Sequence, residues 1–497
     1  MPSLEGEAMS DPLAAEDVLA AGPQESGKGV RRLVVAVAAV AVAGAAGAAY
    51  AVASFLSGGG LQPEALMPAD VVAYADVDLD PAAGQKANLV RFTSSFTSAD
   101  VRFGDEAGIR SALIDALFES SGTDPAEVEP WLGDRYAVAL LAVDGTELAA
   151  RDPQVVVALQ VTDAAAAETW LTDSLDGDGS VRVTQGYALV GTPGVDLDAV
   201  IADAADASLA DSEAFRAAMA PLGSGLAQAY LDVPALQDWM SGFGVGGTTA
   251  ALDATGPLAA VLKAEPDALE IVASTTVGGQ VVPTAPTALF GQLPDSTAAA
   301  FAVTGAGESL VNRWDELLAS PDLGASAGEV ERELRRIERR TGLVLPDDLR
   351  TLLGQDLVVA LDGADLAMSP EFGVRVVTDP DDAARVVAAV QPQLAEVTGG
   401  YGVRARATED GWVLATSTAY ADRLAAGGGG LLDRPDVRAA LPDIDTASVA
   451  FYLDFAPLAE LADGGDLQDA LTALSGLGMT VTVSGEQAVT RVRLTVD

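Results

Sequence analysis

The sequence predicts an α+β protein: one N-terminal transmembrane helix followed by two tandem copies of an antiparallel-sheet-plus-helices unit. Three observations lead there. Residues 33–56 carry no charged side chain, a set of segments between 63 and 497 occurs twice in the same order, and consecutive strand-like runs are joined by tight turns. Short connections between strands, with helices in groups, favour antiparallel pairing over a doubly wound parallel sheet.

Composition narrows the function classes. With 28 Lys+Arg against 73 Asp+Glu the net charge is −45, so no basic footprint for nucleic acid is expected. Histidine and cysteine are both absent, which removes thiol nucleophiles, Ser-His-Asp triads, thiolate metal sites and disulfides. The lysines are Lys28, Lys86 and Lys263, and no serine stands three residues before any of them, so Ser-x-x-Lys chemistry is also excluded. At 49% hydrophobic residues the chain still has the material for a large core.

Residues 1–32 mix charges with Pro and Gly and show no apolar period, which predicts a disordered cytoplasmic tail. The uncharged run at 33–56 gives about 36 Å of helix, enough for a bilayer core of about 30 Å. Lys28, Arg31 and Arg32 precede it and the next basic residue is Lys86. That asymmetry predicts a single-pass plasma-membrane protein, N-terminus cytoplasmic and C-terminal part extracytoplasmic. The rival is a cleaved signal peptide ending at Ala49-Tyr50-Ala51 or Ala51-Val52-Ala53. Residues 57–62, with three consecutive glycines, read as a linker.

The first copy spans 63–280 and the second 288–497, joined by 281–287 with Pro283 and Pro286. LMPADVVAYADV from Leu66 returns as QLPDSTAAAFAV from Gln292, the L-G pair at Leu132-Gly133 as Leu353-Gly354, and YLDVPAL from Tyr230 as YLDFAPL from Tyr452. In the first copy VVAYADVDL, RYAVALLAV and QVVVALQV read as strands, AAAAETWLTDSL and SEAFRAAMAPL as helices, and SVRVTQ with YALVGTP as a hairpin around Gly186. The stretch AAVLKAEPDALEIVASTTV reads as a closing hairpin around Pro266-Asp267.

The opening PADVVAYADVDLDPAAGQK at 68–86, directly after a single apolar segment and continuing through an L-G-D element, resembles an actinobacterial family of membrane-anchored proteins classed as a domain of unknown function (DUF thirty-three fifty-two). The resemblance covers 61–497. It implies an anchored bacterial exterior protein and supplies no activity or catalytic residue.

Candidate chemistry is sparse. Asp76, Asp78 and Asp80 alternate along a strand and share one face, as cation ligands can, but Pro81 and Ala87 break the EF-hand template, leaving a solvated strand edge as the favoured reading. Asp176-Gly177-Asp178 reads as a turn, and 427–430 lacks the Gly-Lys-Ser/Thr ending of a phosphate loop. No catalytic, cofactor or metal residue is assigned. The candidate binding residues are Arg332, Arg335, Arg336, Arg339 and Arg340, along one side of a helix starting near Gly328, with Val330, Leu334 and Ile337 as its apolar stripe. Intrahelical pairing with Glu331, Glu333 and Glu338 is the competing reading.

The expectation for function is a non-enzymatic binding or scaffold module of the cell envelope, held to the membrane by its N-terminal helix, with an envelope protein or lipid as partner and no nucleic acid. The alternative is a carrier or sensor of a lipid or other apolar ligand, drawing on an apolar helix at 109–118. A carboxylate-dependent hydrolase ranks below both.

Overall fold

The computed structural model describes residues 61–79, 82–96, 114, 123–142, 153–242, 254–277, 285–319, 327–364, 366, 368–397, 404–462 and 464–496. The strands are β1 (Ala73–Asp78), β2 (Leu132–Leu140), β3 (Val155–Val161), β4 (Ser180–Thr184), β5 (Tyr187–Gly191), β6 (Ala227–Leu231), β7 (Ala254–Glu265) and β8 (Ala268–Val277). They continue as β9 (Thr297–Thr304), β10 (Asp356–Asp362), β11 (Glu371–Val377), β12 (Arg404–Thr408), β13 (Gly411–Ala415), β14 (Val449–Asp454), β15 (Leu474–Ser484) and β16 (Gln487–Val496). All belong to one 16-stranded sheet.

Turn chemistry sets the hairpins. Gln185 and Gly186 both have positive φ (49° and 85°), the conformation that a two-residue connection needs to match strand twist, and they join β4 to β5. Helices start where a polar side chain takes up orphan amides. Asp163 accepts from Ala165 N and Ala166 N ahead of α2 (Ala164–Leu175), Asp196 from Asp198 N and Ala199 N ahead of α3 (Leu197–Asp206), and Ser212 from Phe215 N ahead of α4 (Glu213–Met219).

Both faces of the sheet are covered in part. On one face of the first half Tyr74, Ala137, Val156, Leu189 and Tyr230 pack under α3 and α4. On the opposite face Leu132, Tyr136, Val157 and Leu159 pack under α2. Leu89 and Phe92 of α1 (Ala83–Ser94) meet Ala264 and Leu269. Helices of the second half include α5 (Ala306–Asn312), α6 (Ala327–Thr341), α7 (Asp347–Leu353), α8 (Pro380–Val397), α9 (Thr418–Ala426) and α10 (Pro435–Ala440). Tyr420 of α9 and Val437 of α10 join a core with Ala300, Val413 and Tyr452, while Ala383 and Val387 of α8 cover Val376 and Trp412 on the other side.

The expected two tandem units are corrected by this topology. Read outward from the middle, the order is β8-β7-β6-β1-β2-β3-β5-β4 on one side and β16-β15-β14-β9-β10-β11-β13-β12 on the other. The two series do not stand as separate domains, because β8 and β16 pair antiparallel from Thr276 opposite Gln487 to Ala268 opposite Thr495. Long strands left with open edges would expose rows of unpaired amides and carbonyls, and joining β8 to β16 satisfies both.

The membrane placement is corrected as well. The tail expected at 1–32, the helix expected at 33–56 and residues 57–60 of the linker expected at 57–62 lie outside the described residues, and among the described residues no helix is long and apolar enough to cross a membrane. The long helix α8, of 18 residues, carries Asp381, Asp382 and Arg385 and lays one apolar face on the sheet. The single-pass anchor, the plasma-membrane topology, the membrane or envelope-lipid partner and the envelope-scaffold function leaned on the helix expected at 33–56, the lipid-carrier function on the apolar helix expected at 109–118, and the structure supports none of them. Apart from Ile114, the helix expected at 109–118 also lies outside the described residues.

The seam between β8 and β16 holds a buried ion cluster. Glu270, 2% exposed, accepts from Arg491 Nη1 at 2.5 Å and lies 3.4 Å from Arg493 Nη1, while Arg491 Nε donates to Asp443 at 2.7 Å. Removing Glu270 takes away charge-assisted contacts from two part-exposed arginines, while Arg491 keeps Asp443. Glu270→Ala should therefore cost about 1.5–3 kcal/mol of unfolding free energy, read by urea denaturation with tryptophan fluorescence. A loss within error of zero would show that the cluster does not hold the seam.

Candidate binding surface

The candidate arginines lie on α6, which begins one residue before Gly328 and ends at Thr341. At about 100° per residue, Arg332, Arg335, Arg336, Arg339 and Arg340 fan over one side and Val330, Leu334 and Ile337 line the opposite one. All five arginines are exposed, Val330 and Leu334 are half-buried, and Ile337 is 39% exposed. The helix is therefore seated only in part along its apolar stripe.

Its C-terminal end is fixed firmly. Glu338 accepts from Leu345 N at 3.1 Å, Thr341 Oγ1 accepts from Leu343 N at 3.2 Å, and Leu343 is buried. The turn then runs into α7, where Asp348 accepts from Val344 N at 2.7 Å and receives Arg385 of α8 on both carboxylate oxygens, at 3.1 and 2.5 Å. A planar guanidinium held by two carboxylate oxygens is orientationally specific. The Arg385 hydrogen bonds hold the Asp348 carboxyl below its usual range.

Along the stripe the pairs are local. Arg335 Nη1 meets Glu331 at 3.2 Å, Arg336 Nη1 meets Glu333 at 2.5 Å, and Arg332 Nε donates to the Gly328 carbonyl at 2.9 Å. Such exposed intrahelical ion pairs contribute only about 0.2–0.5 kcal/mol each, so an incoming partner can replace them.

Beside α7 lies a cleft of about 410 Å³ lined by Thr304, Glu308, Arg350, Gln355, Thr378 and Asp382, among others. Two glycines shape it. A Cβ on Gly307 would sit 2.7 Å from the Arg350 carbonyl, so α5 can lie against α7 only with glycine there. Gly354, at φ 63°, ends α7 and would bring a Cβ to 2.3 Å from the Val377 carbonyl. Several of the cleft's polar groups are engaged in the fold. Arg350 Nε binds Glu308 at 2.6 Å and Arg350 Nη1 lies 3.5 Å from Asp347. Thr304 Oγ1 lies 2.8 Å from the Ala285 carbonyl, and Asp379 accepts from Asp381 N and Asp382 N at the start of α8. Among the described residues no group of three or more carboxylates is arranged to hold a metal ion.

The first half holds a polar cluster that the sequence reading missed. Asp76 and Asp78 do not line a solvated edge: β1 is an inner strand between β2 and β6, and both carboxylates share the core-facing side with Tyr74. The signal was present in the alternation, since Tyr74 must share whichever face those aspartates take.

Comparisons add little. No family model matches the chain, and no curated protein matches it. A solved structure titled "Structure of crystal form III of TP0453" aligns over 46% of this chain and 84% of its own, at 9% identity and a TM-score of 0.24. That likeness carries no argument about fold or function.

The α6–α7 junction makes a checkable statement about acid. A carboxyl whose folded pKa is depressed stabilises the fold above its usual range, and that contribution is lost as pH falls through the lowered value. Asp348→Asn should lower the thermal midpoint at pH 7. The gap from the unmodified protein should close below the usual carboxylate range, as Asp348 takes up its proton. A gap that persists unchanged at low pH would show that the ion pair is not its source.

Proposed function

We propose that the chain acts by binding rather than by catalysis, and that it docks an acidic polypeptide segment on the arginine stripe of α6. The observation that carries this is the concentration of five exposed arginines on one side of a helix fixed at its C-terminal end, in a chain of net charge −45. At physiological ionic strength screening confines electrostatic influence to about 8 Å, so a local cationic stripe sets the sign of the field for a partner that touches it. The weak pairs with Glu331 and Glu333 favour exchange: a partner carboxylate that replaces one of these acids gains a bidentate contact, and the displaced acid returns to water.

The named polar groups of the cleft serve the fold, which leaves the arginine stripe as the surface on which the binding reading rests. Arg350, Thr304 and Asp379 are engaged in positioning α5, α7 and α8.

Replacing Arg332, Arg335, Arg336, Arg339 and Arg340 together by Gln should weaken binding of poly-L-glutamate at least tenfold in fluorescence anisotropy. Far-UV circular dichroism should be unchanged, because Val330 and Leu334 keep the helix seated. Affinity of the unmodified protein should fall steeply with added salt. Equal binding by the variant, or no binding by the unmodified chain at low salt, would overturn the assignment.

A further inference from the structure

The 3₁₀ turn Pro63–Leu66 brings the chain onto the sheet beside β1, and its contacts there include a polar cluster. Tyr74 OH donates to Glu64 Oε2 at 3.3 Å, Gln228 Nε2 of β6 donates to Asp76 Oδ2 at 2.6 Å, and Asp76 stands two residues beyond Tyr74 on the same face of β1. Tyr187 OH of β5 donates to the Leu61 carbonyl at 2.8 Å, tying down the start of the same segment. The charged and titratable groups facing the cluster are Glu64 from the turn, Asp78 from β1, Arg135 from β2, which pairs with Asp78 at 3.2 Å, Tyr187 from β5, and Asp232 beyond β6 beside Tyr230.

Among the described residues the second half has the same strand order but places its polar groups elsewhere, with Tyr452 OH donating to Asp436 Oδ2 at 2.9 Å and accepting from Arg434 Nη2 at 3.2 Å. Tyr74 lies opposite Tyr230 in β1 and β6, as Ala300 lies opposite Tyr452 in β9 and β14. One step further, the pair Asp76 and Gln228 is matched by Ala302 and Ala450. Ten residues before Tyr74 stands Glu64, and Phe290, buried in its own 3₁₀ turn, stands equally far before Ala300. Phenylalanine and alanine therefore suffice at these four register positions, and the strand pairing does not require the polar set of the first half there.

We propose that Glu64, Tyr74, Asp76 and Gln228 form a proton-held latch that fixes residues 61–72 on the sheet and loosens them when the proton leaves. The chemistry lies in the count of donors. Tyr74 has one proton. With Asp76 protonated, Tyr74 donates to Glu64, Gln228 donates to Asp76, and the two carboxyls together carry one negative charge. With Asp76 ionised, a single phenol proton serves two carboxylates, one of which is left without it, and the turn carrying Glu64 is repelled from β1. Burial, and then the charge of Glu64, push the Asp76 carboxyl up to about 8, and burial also raises Glu64. A folded pKa raised above the unfolded one stabilises the closed latch below the usual carboxylate range, and the stabilisation is spent once pH has risen through the folded value.

Hydrogen exchange of the full chain tests this. After correction for intrinsic rates, protection of residues 61–72 should fall by about tenfold per pH unit between pH 6 and about 8, then level off. Asp76→Asn, which keeps the donor without a titrating proton, should flatten the profile. Should that variant fail to fold, Asp76→Ala with Gln228→Ala, the residue types of the second half, should flatten it too. Constant protection in the unmodified protein, or an unchanged slope in a folded variant, would overturn the latch.

Discussion

The pairing of β8 with β16 is the constraint on which the rest of the structure depends. Each half ends in a long hairpin, β7–β8 and β15–β16, and each hairpin presents one outer strand. Left open, those strands would expose unpaired amides and carbonyls along their whole length. Paired, they turn two arrays into one sheet and bury Glu270 against Arg491 and Arg493. The cluster selects register. Arg493 lies directly opposite Glu270, and a one-residue slip would send the arginine to the other face of the sheet.

Fixing the seam also fixes where the two polar systems sit. Moving outward from it, β1 is reached through β7 and β6, so Asp76 is enclosed by β2 on one side and β6 on the other and cannot reach bulk water from an edge. On the opposite side β9 and β10 are joined by the long excursion that contains α5, α6 and α7. The arginine helix is thus carried by a connection, tethered through Asp348 and Arg385, and not by the sheet itself. Connections of this kind tolerate unusual surface composition because little packing depends on them.

The elements were legible where local chemistry decides them. Alternation along VVAYADVDL and QVVVALQV, the Gly186 turn, and the helical run AAAAETWLTDSL correspond to β1, β3, the β4–β5 hairpin and α2. The joining of the halves was not legible, because repeated segments define what each half contains and not how its outer strand is satisfied. The length of the β7–β8 and β15–β16 hairpins was the available hint. For the sites, periodicity placed the five arginines on one side of α6, where the structure has them. The Glu64–Asp76 cluster escaped notice because its parts come from a turn, β1 and β6, and only the register of Asp76 opposite Gln228 unites them.

Native-state hydrogen exchange across the seam tests the central claim most directly. If β8 and β16 are interior strands of one sheet, amides of β8 within 268–277 and of β16 within 487–496 should exchange in the slowest class, together with those of β2 and β10. Exchange at the rate of the edge strands β4 and β12 would contradict the account, because it would mean that the halves part without unfolding.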